Sequence, residues 1–491
     1  MRVKFAFAAV ATAAFLAAGC GGGGGGGGSN AASGAASIAP DSAAAYVAVS
    51  SNLDSAGWTK AKALLDRFPG KATIIKSLRS SLTQQGLDWE TDVKPALGDE
   101  VDLVWLDFQG GGQNIVGITK PKDAARFNAL LAKSSNPPVH EVIDGWTVFA
   151  SEQDELDAFD QARSDHGSLV DDSAFADAID SLPSDSIVQA WVRGSAVQTA
   201  FDQRLQSSGA PADTTKNQIG SLDSVAAAVT PGSNGIRMAA AFKGNLDLGG
   251  GGYHAELPSS LPAGAMLYLS FNGIGDRLNK LVDAFGGSSP NFDQQRAQIE
   301  LVLGYPLKDV FGLLSGEGAI ALYPTATGTP VLLFAAAVGD EAKARNILDR
   351  LATLAAASGS IKIQSVQIGS VQAKEITLQN GTSAYAAVFG GKLVTTNNRS
   401  AIEQMQGVGP KLSGDSSYVQ ALDGSGVPTE TSGFLYANLS DGLQYAFDYA
   451  ESHGSSIPKV VKDNTAPLRG LLLYGSNDGG GFTLTGFLGI H

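Results

Sequence analysis

Two acidic pairs with the same spacing are the side chains that chemistry would use first: Asp92 with Glu100, and Asp309 with Glu317. Two carboxyls brought face to face can divide the work of a general acid and a general base. The plainer reading makes Asp92 and Asp309 the caps of short helices. A cap needs one acceptor at a helix start, whereas catalysis needs a cleft and a shifted pKa. Five histidines stand at His140, His166, His254, His453 and His491 with no HExxH or comparable spacing, so no metal is expected, and the surface is the default place of His140, His254 and His491. No GxSxG elbow or SxxK set occurs, which leaves a hydrolase assembled without local motifs as a third-ranked reading. Asn477-Asp478 before three glycines lacks the calcium-loop pattern and reads as a tight turn. No cofactor signature and no catalytic residue emerge.

The single cysteine, Cys20, is different. It closes Leu16-Ala17-Ala18-Gly19-Cys20 at the end of an apolar run from Phe5 to Ala18, after Arg2 and Lys4 and before eight glycines. A charged start, a short apolar run and small residues before the cut make a secretory signal, too short to span a bilayer. The segment resembles the lipobox of bacterial lipoproteins, with Ala17 three places before the cysteine and Leu16 one further back. The resemblance implies a diacylglycerol on the Cys20 thiol and removal of residues 1–19. The alternative is a plain secretory signal that contains a cysteine. A thioether-linked lipid would remove the liability of an unpaired exposed thiol, and no intrachain disulfide is possible. The glycines cannot be a phosphate loop, because no strand precedes them and no GK[ST] follows. Residues 20–37 have the composition of a flexible coil and read as a tether.

Removing Arg2 and Lys4 leaves 32 basic against 48 acidic residues, a net charge of −16. Such a body is repelled by nucleic acid and by anionic headgroups, so no nucleic-acid partner is expected. The hydrophobic fraction of 43% belongs to a folded protein, and the length left after the signal suggests two or three domains. No later run approaches the ~18 apolar residues of a membrane span.

These candidate residues are carried by elements that come twice. Pro40 through Val49, with Tyr46, matches Pro262 through Phe271, with Tyr268. Asp92 through Glu100 and an apolar strand match Asp309 through Glu317 and its strand. Phe175 pairs with Tyr418, and Ala200-Phe201-Asp202 recurs as Ala446-Phe447-Asp448. The order holds through two hundred residues, with one insertion of about 25–30 residues near Leu351 to Gly390. The chain therefore divides into an α+β domain at 38–244, a Gly-rich linker at 245–256, and a second α+β domain at 257–491. Each is expected to be a largely antiparallel sheet with packed helices, from irregular alternation of strand-like runs with helical periodicity. The repeated aromatics, including Phe201 and Phe447, are expected in the core.

The Pro-led Ala-Tyr-Val strand, the Asp-Val and Leu-Gly elements and the lipobox together resemble the bacterial family known as domain of unknown function 3352. That resemblance implies an extracytoplasmic envelope protein and carries no functional residue with it. The expected function is a non-enzymatic binding or structural module of the cell envelope. It would be held to the extracytoplasmic face of the membrane by lipid, with an unknown envelope protein or apolar ligand as partner. A carrier for a lipid or other apolar ligand is the alternative.

Overall fold

Runs of Val, Ile, Leu and Ala broken by turns form antiparallel strands, because a ladder satisfies their backbone while side chains pack alternately on two faces. The structure is a computed structural model that describes residues 34–108, 114–134, 136–206, 220–246, 251–286, 290–326, 328–357, 361–477 and 481–491. Cys20, the signal stretch and Asp478 lie outside the described residues. The chain packs as two units: residues up to 249 with 458–467 and 477–491, and residues 250–457 with 468–476.

In the first unit the strands are β1 (Ala45–Ser50), β2 (Glu100–Trp105), β3 (Ile115–Thr119), β4 (Val139–Ile143), β5 (Trp146–Ala150), β6 (Val188–Arg193), β7 (Gly220–Pro231) and β8 (Gly235–Leu246). They pair in the order β4-β5-β3-β2-β1-β6-β7-β8, antiparallel throughout. The second unit holds β9 (Leu267–Asn272), β10 (Glu317–Tyr323), β11 (Val331–Ala337), β12 (Ile361–Ile368), β13 (Val371–Leu378), β14 (Ser383–Phe389), β15 (Lys392–Thr396), β16 (Gly433–Asn438) and β17 (Leu468–Asn477). Here the order is β12-β13-β14-β15-β11-β10-β9-β16-β17, again antiparallel. Read from β14 to β17 it is the order of β4 to β7. The extra hairpin β12–β13 falls inside the stretch where the sequence reading placed its insertion.

The last strand, β18 (Gly481–Ile490), follows β17 in sequence but pairs with β8 from Gly481↔Lys243 to Gly489↔Gly235, so it belongs to the first unit. Asn464 Oδ1 accepts from Gly70 N at 2.6 Å, which holds the helix Lys459–Thr465 in that unit as well. Sequence similarity assigned both segments to the second domain; their hydrogen bonds place them with the first unit. The expected linker also narrows. Tyr253 exchanges two backbone hydrogen bonds with Thr431, at 2.9 and 3.0 Å, so residues from 251 onward are built into the second unit.

The tether too is shorter than its composition suggested. Gly34 to Ala39 is folded: Ala35–Ser37 is a turn of 3-10 helix, and Ala35, Ala36, Ile38 and Ala39 are buried in the first unit's core. Small residues read as linker in isolation, but a core facing large aromatics takes them equally well.

Each core is built around aromatics whose helix has a fixed start. Asp172 caps the helix Ser173–Asp180 by accepting from Ala174 N at 2.8 Å and Phe175 N at 3.4 Å. Asp415 does the same for Ser416–Ser425, at 2.9 Å from Ser417 N and 3.3 Å from Tyr418 N. Phe175 then stands edge-on to Tyr46 and Trp191, and Tyr418 edge-on to Tyr268 and Tyr436. Phe201 and Phe447 do not join these cores. Phe201 is 54% exposed and Phe447 half-buried, because the helices carrying them turn that face away from the sheet.

Candidate functional site

Antiparallel register decides which of the acids meet. In β1 and β2 the pairs Tyr46↔Val104, Ala48↔Asp102 and Ser50↔Glu100 put Tyr46, Asp102 and Glu100 on one face of the sheet. Trp191 and Gln189 of β6 stand opposite Tyr46 and Ala48 on the same face. In β9 and β10 the register is the same: Tyr268↔Ala321, Ser270↔Ala319 and Asn272↔Glu317. The second unit thus has a serine where the first has Ala48, and an alanine where the first has Asp102.

Glu317 is a gathered carboxylate. Its Oε2 accepts from Glu256 N at 2.7 Å and Leu257 N at 2.9 Å, at the start of the 3-10 turn Leu257–Ser259. Its Oε1 has the Tyr268 and Ser270 hydroxyls at 3.5 Å, and Tyr253 Oη lies 2.5 Å from Ser270 Oγ. Burial pushes the Glu317 carboxyl up, against the opposing pull of the two backbone donors. Burial likewise raises Tyr268 and Tyr418 far above the usual phenol range and Tyr253 to about 12, so all three phenols stay protonated.

Glu100 repeats half of this. The backbone N–H of Ala35 donates to it, at the start of the turn Ala35–Ser37. Burial, reinforced by Asp99, raises its carboxyl to about 7 despite that donor. Asp102 is 0% exposed, and neither of its oxygens has a hydrogen bond of good geometry; the same is true of the Tyr46 hydroxyl, which is near enough to interact with it. Desolvation first, and Glu100 second, hold the Asp102 carboxyl well above the usual range. Sequence reasoning passed over Asp102. The available signal was an aspartate two residues after Glu100 inside an otherwise apolar strand.

The segment from Gly34 to Asp41, which crosses Glu100, is tight at its first residue. A Cβ on Gly34 would overlap Glu100 Oε1 and press on the Trp146 ring. Gly34→Ala is expected to destabilise the first unit by about 1–3 kcal/mol through overpacking, read as a lower urea midpoint at unchanged slope.

Asp92 and Asp309 join neither cluster, and neither is the cap expected of it. Asp88 caps the π-helical turn Trp89–Val93, accepting from Glu90 N and Thr91 N at 2.9 Å. Asp92 lies in the turn itself, taking Asp88 N at 2.9 Å and Lys133 Nζ at 2.7 Å. Pro306 occupies the cap position of Leu307–Gly312, and Asp309 pairs with Lys343 at 3.1 Å. In both cases the lysine comes from the helix that follows β3 or β11, so the acid ties two helical segments together. The five histidines are all exposed, and among the described residues no group of three His, Cys, Asp or Glu could hold a metal.

Two clefts open elsewhere. One of about 260 Å³ in the first unit is lined by Leu106, Asp107, Arg193, Thr199 and Gln203. One of about 280 Å³ in the second is lined by Arg345, Asp349, Val371, Lys374 and Phe389. None of the buried acids reaches either.

Among solved structures the chain is similar to crystal form IV of TP0453, at 11% identity over 48% of this chain and 81% of that one with a TM-score of 0.26. For crystal form I the values are 11%, 47%, 77% and 0.25. No curated protein matches the sequence. A family model does: over residues 105–447, most of both units, this chain belongs to the family described as protein of unknown function DUF3352.

Proposed function

We propose that the protein is an extracytoplasmic lipoprotein of the cell envelope, anchored through Cys20, whose folded body binds or holds a partner and carries out no reaction. The observation that carries this reading is the use made of its acids. Glu317 accepts two backbone amides and Glu100 one, each at the turn that leads its unit into the sheet, while Asp92 and Asp309 are tied to lysines. The carboxylates suited by type to acid–base work serve to fasten segments. The anchor rests on the signal and lipobox residues before Cys20, and among the described residues no helix is long and apolar enough to cross a membrane. The residues between Cys20 and Gly34 then act as a neutral tether for a body of net charge −16.

We also infer that the two units descend from one duplicated sequence, with β12–β13 inserted in the second. Support comes from the shared strand order, and from Glu100 and Glu317 sitting at one register position beside Tyr46 and Tyr268. The carrier reading draws no support from the clefts, since charged side chains line both.

Cys20→Ser tests the anchor. The variant is expected to leave the membrane fraction and to stop partitioning into detergent, because two acyl chains or more hold a protein firmly and none holds it. Continued membrane association of the variant would overturn the reading.

A further inference from the structure

The strap that crosses the first unit's acids is where the chain enters the fold. Residues 34–41 are held from one side by the segment 167–169: Ser168 Oγ donates to Ala36 O at 3.2 Å, Leu169 N to Ala39 O at 2.8 Å, and Asp41 N donates to Gly167 O at 2.9 Å. From the other side they rest on β2, where Glu100 takes the Ala35 amide, and on the Tyr46 hydroxyl, against which the Ala36 backbone lies. On the same face as these two contacts, beside Tyr46, Asp102 is sealed from water; neither oxygen has a hydrogen bond of good geometry, and the uncharged Tyr46 hydroxyl is its polar neighbour. Two acids thus share one covered face with no basic side chain acting on either.

The neighbouring groups bear this out element by element. The strap carries no charge from Gly34 to Pro40, and its one acid, Asp41, faces away from the pair with its Oδ1 3.6 Å from His166 Nδ1 on the segment that precedes Gly167. From β1 comes Tyr46, and from the start of β2 comes Asp99, which is paired with Lys122 at 3.2 Å. Beyond β3, Lys120 lies over the Trp146 ring, 5.9 Å from its centroid. From β6 come Gln189 and Trp191, and Arg193 is occupied by Asp172 at 2.8 Å. The helix Ser173–Asp180 presents Phe175, an uncharged ring.

We propose that Glu100 and Asp102 form a proton-operated latch on residues 34–41, which docks the strap when the pair is protonated and releases it as the pair ionises. The chemistry is a desolvation penalty. A neutral carboxyl can stay under the strap, whereas an ionised one without a counter-ion gains by reaching water, which it can do once the strap lifts. The sign follows from linkage. Both acids are raised by burial above their ordinary values, so the docked state binds more protons than the open one. Docking is strongest below the ordinary carboxylate range and weakens as pH rises through it; the Glu100 contribution is lost up to about 7, where that group titrates when docked, and the Asp102 contribution goes on being lost above that, until the docked Asp102 itself ionises. The second unit lacks the pair, since Ala319 stands where Asp102 does and Glu317 has two backbone donors. In the proposed lipoprotein the latch would set how many residues separate anchor from body, but it operates whether or not Cys20 carries lipid.

The test is hydrogen exchange of the full chain from pH 5 to 8, corrected for the intrinsic rate of each amide. The opening constant of 34–41 is expected to rise on the order of a hundredfold across that range, with the amides of β16 and β17 unchanged. Asp102→Asn and Glu100→Gln should each reduce the rise, and together abolish it. A wild-type strap equally protected at pH 5 and pH 8 would sink the latch, as would a rise shared by every segment of the chain. Should the double variant not fold, the single variants decide, since Asp41 also lies 3.6 Å from His166: a rise undiminished in both Asp102→Asn and Glu100→Gln would overturn the latch.

Discussion

Glu317→Ala is expected to lower the stability of the second unit by about 3 kcal/mol, because it strips the acceptor from two backbone amides at once. The Leu257 amide is buried, and a buried donor left unpaired costs about 1–3 kcal/mol. The Glu256 amide adds to this from a partly buried position, and the Tyr268 and Ser270 hydroxyls lose a neighbour. Against these losses stands the relief of burying a carboxyl whose pKa burial already raises, which keeps the total from being larger. Glu317→Gln keeps an oxygen for both amides and is expected to cost less than half as much. Urea unfolding of wild type and both variants measures the difference as a shift in midpoint at constant slope. A loss below 1 kcal/mol for Glu317→Ala would mean that water reaches the turn at Leu257 and that the carboxylate is not what holds it.

Phe175→Ala is the second large effect, at about 3–5 kcal/mol for the first unit. The ring stands between Tyr46 and Trp191, 5.5 Å from each centroid and edge-on to both, and is itself buried. Removing it opens a cavity that neither neighbour can fill, because Tyr46 and Trp191 sit on adjacent strands β1 and β6. Two edge-to-face contacts are lost as well, each contributing about 0.5–1.5 kcal/mol beyond area. Phe175→Leu retains most of the volume and is expected to cost less than half of the alanine change. Thermal unfolding followed by near-ultraviolet circular dichroism reads both the stability and the environment of Trp191. A cost under 2 kcal/mol for the alanine variant would show that the helix Ser173–Asp180 can slide inward to refill the site.

Much of this framework was legible in the residues. Glycine-flanked apolar runs such as 331–338 and 482–488 are strands, and the periodic Leu278, Val282 and Ile74, Leu78, Leu82 lie on helices. Pro40 and Pro262, matched by their neighbours in sequence, form equivalent bridges, to Ser168 and to Lys411. The alternation in Glu100-Val101-Asp102-Leu103-Val104 misleads for a physical reason. Period two identifies a strand and separates its faces, but says nothing about which face will be covered. Here the face bearing both acids lies under the strap. The same limit explains Asp92: a helix start needs one acceptor, and Asp88, four residues earlier, takes the position because its backbone is extended there while Asp92 is already helical.

By itself the sequence determined where elements form and the recurrence of Tyr46 and Glu100 as Tyr268 and Glu317. These follow from local propensity, spacing and composition, which act over a few residues. Only the tertiary structure decided that Gly34 to Ala39 belongs to the core, that β18 pairs with β8, and that Asp102 is sealed from water without a counter-ion. Each of those depends on segments far apart in sequence arriving at one place and excluding water there, which no local propensity or spacing encodes.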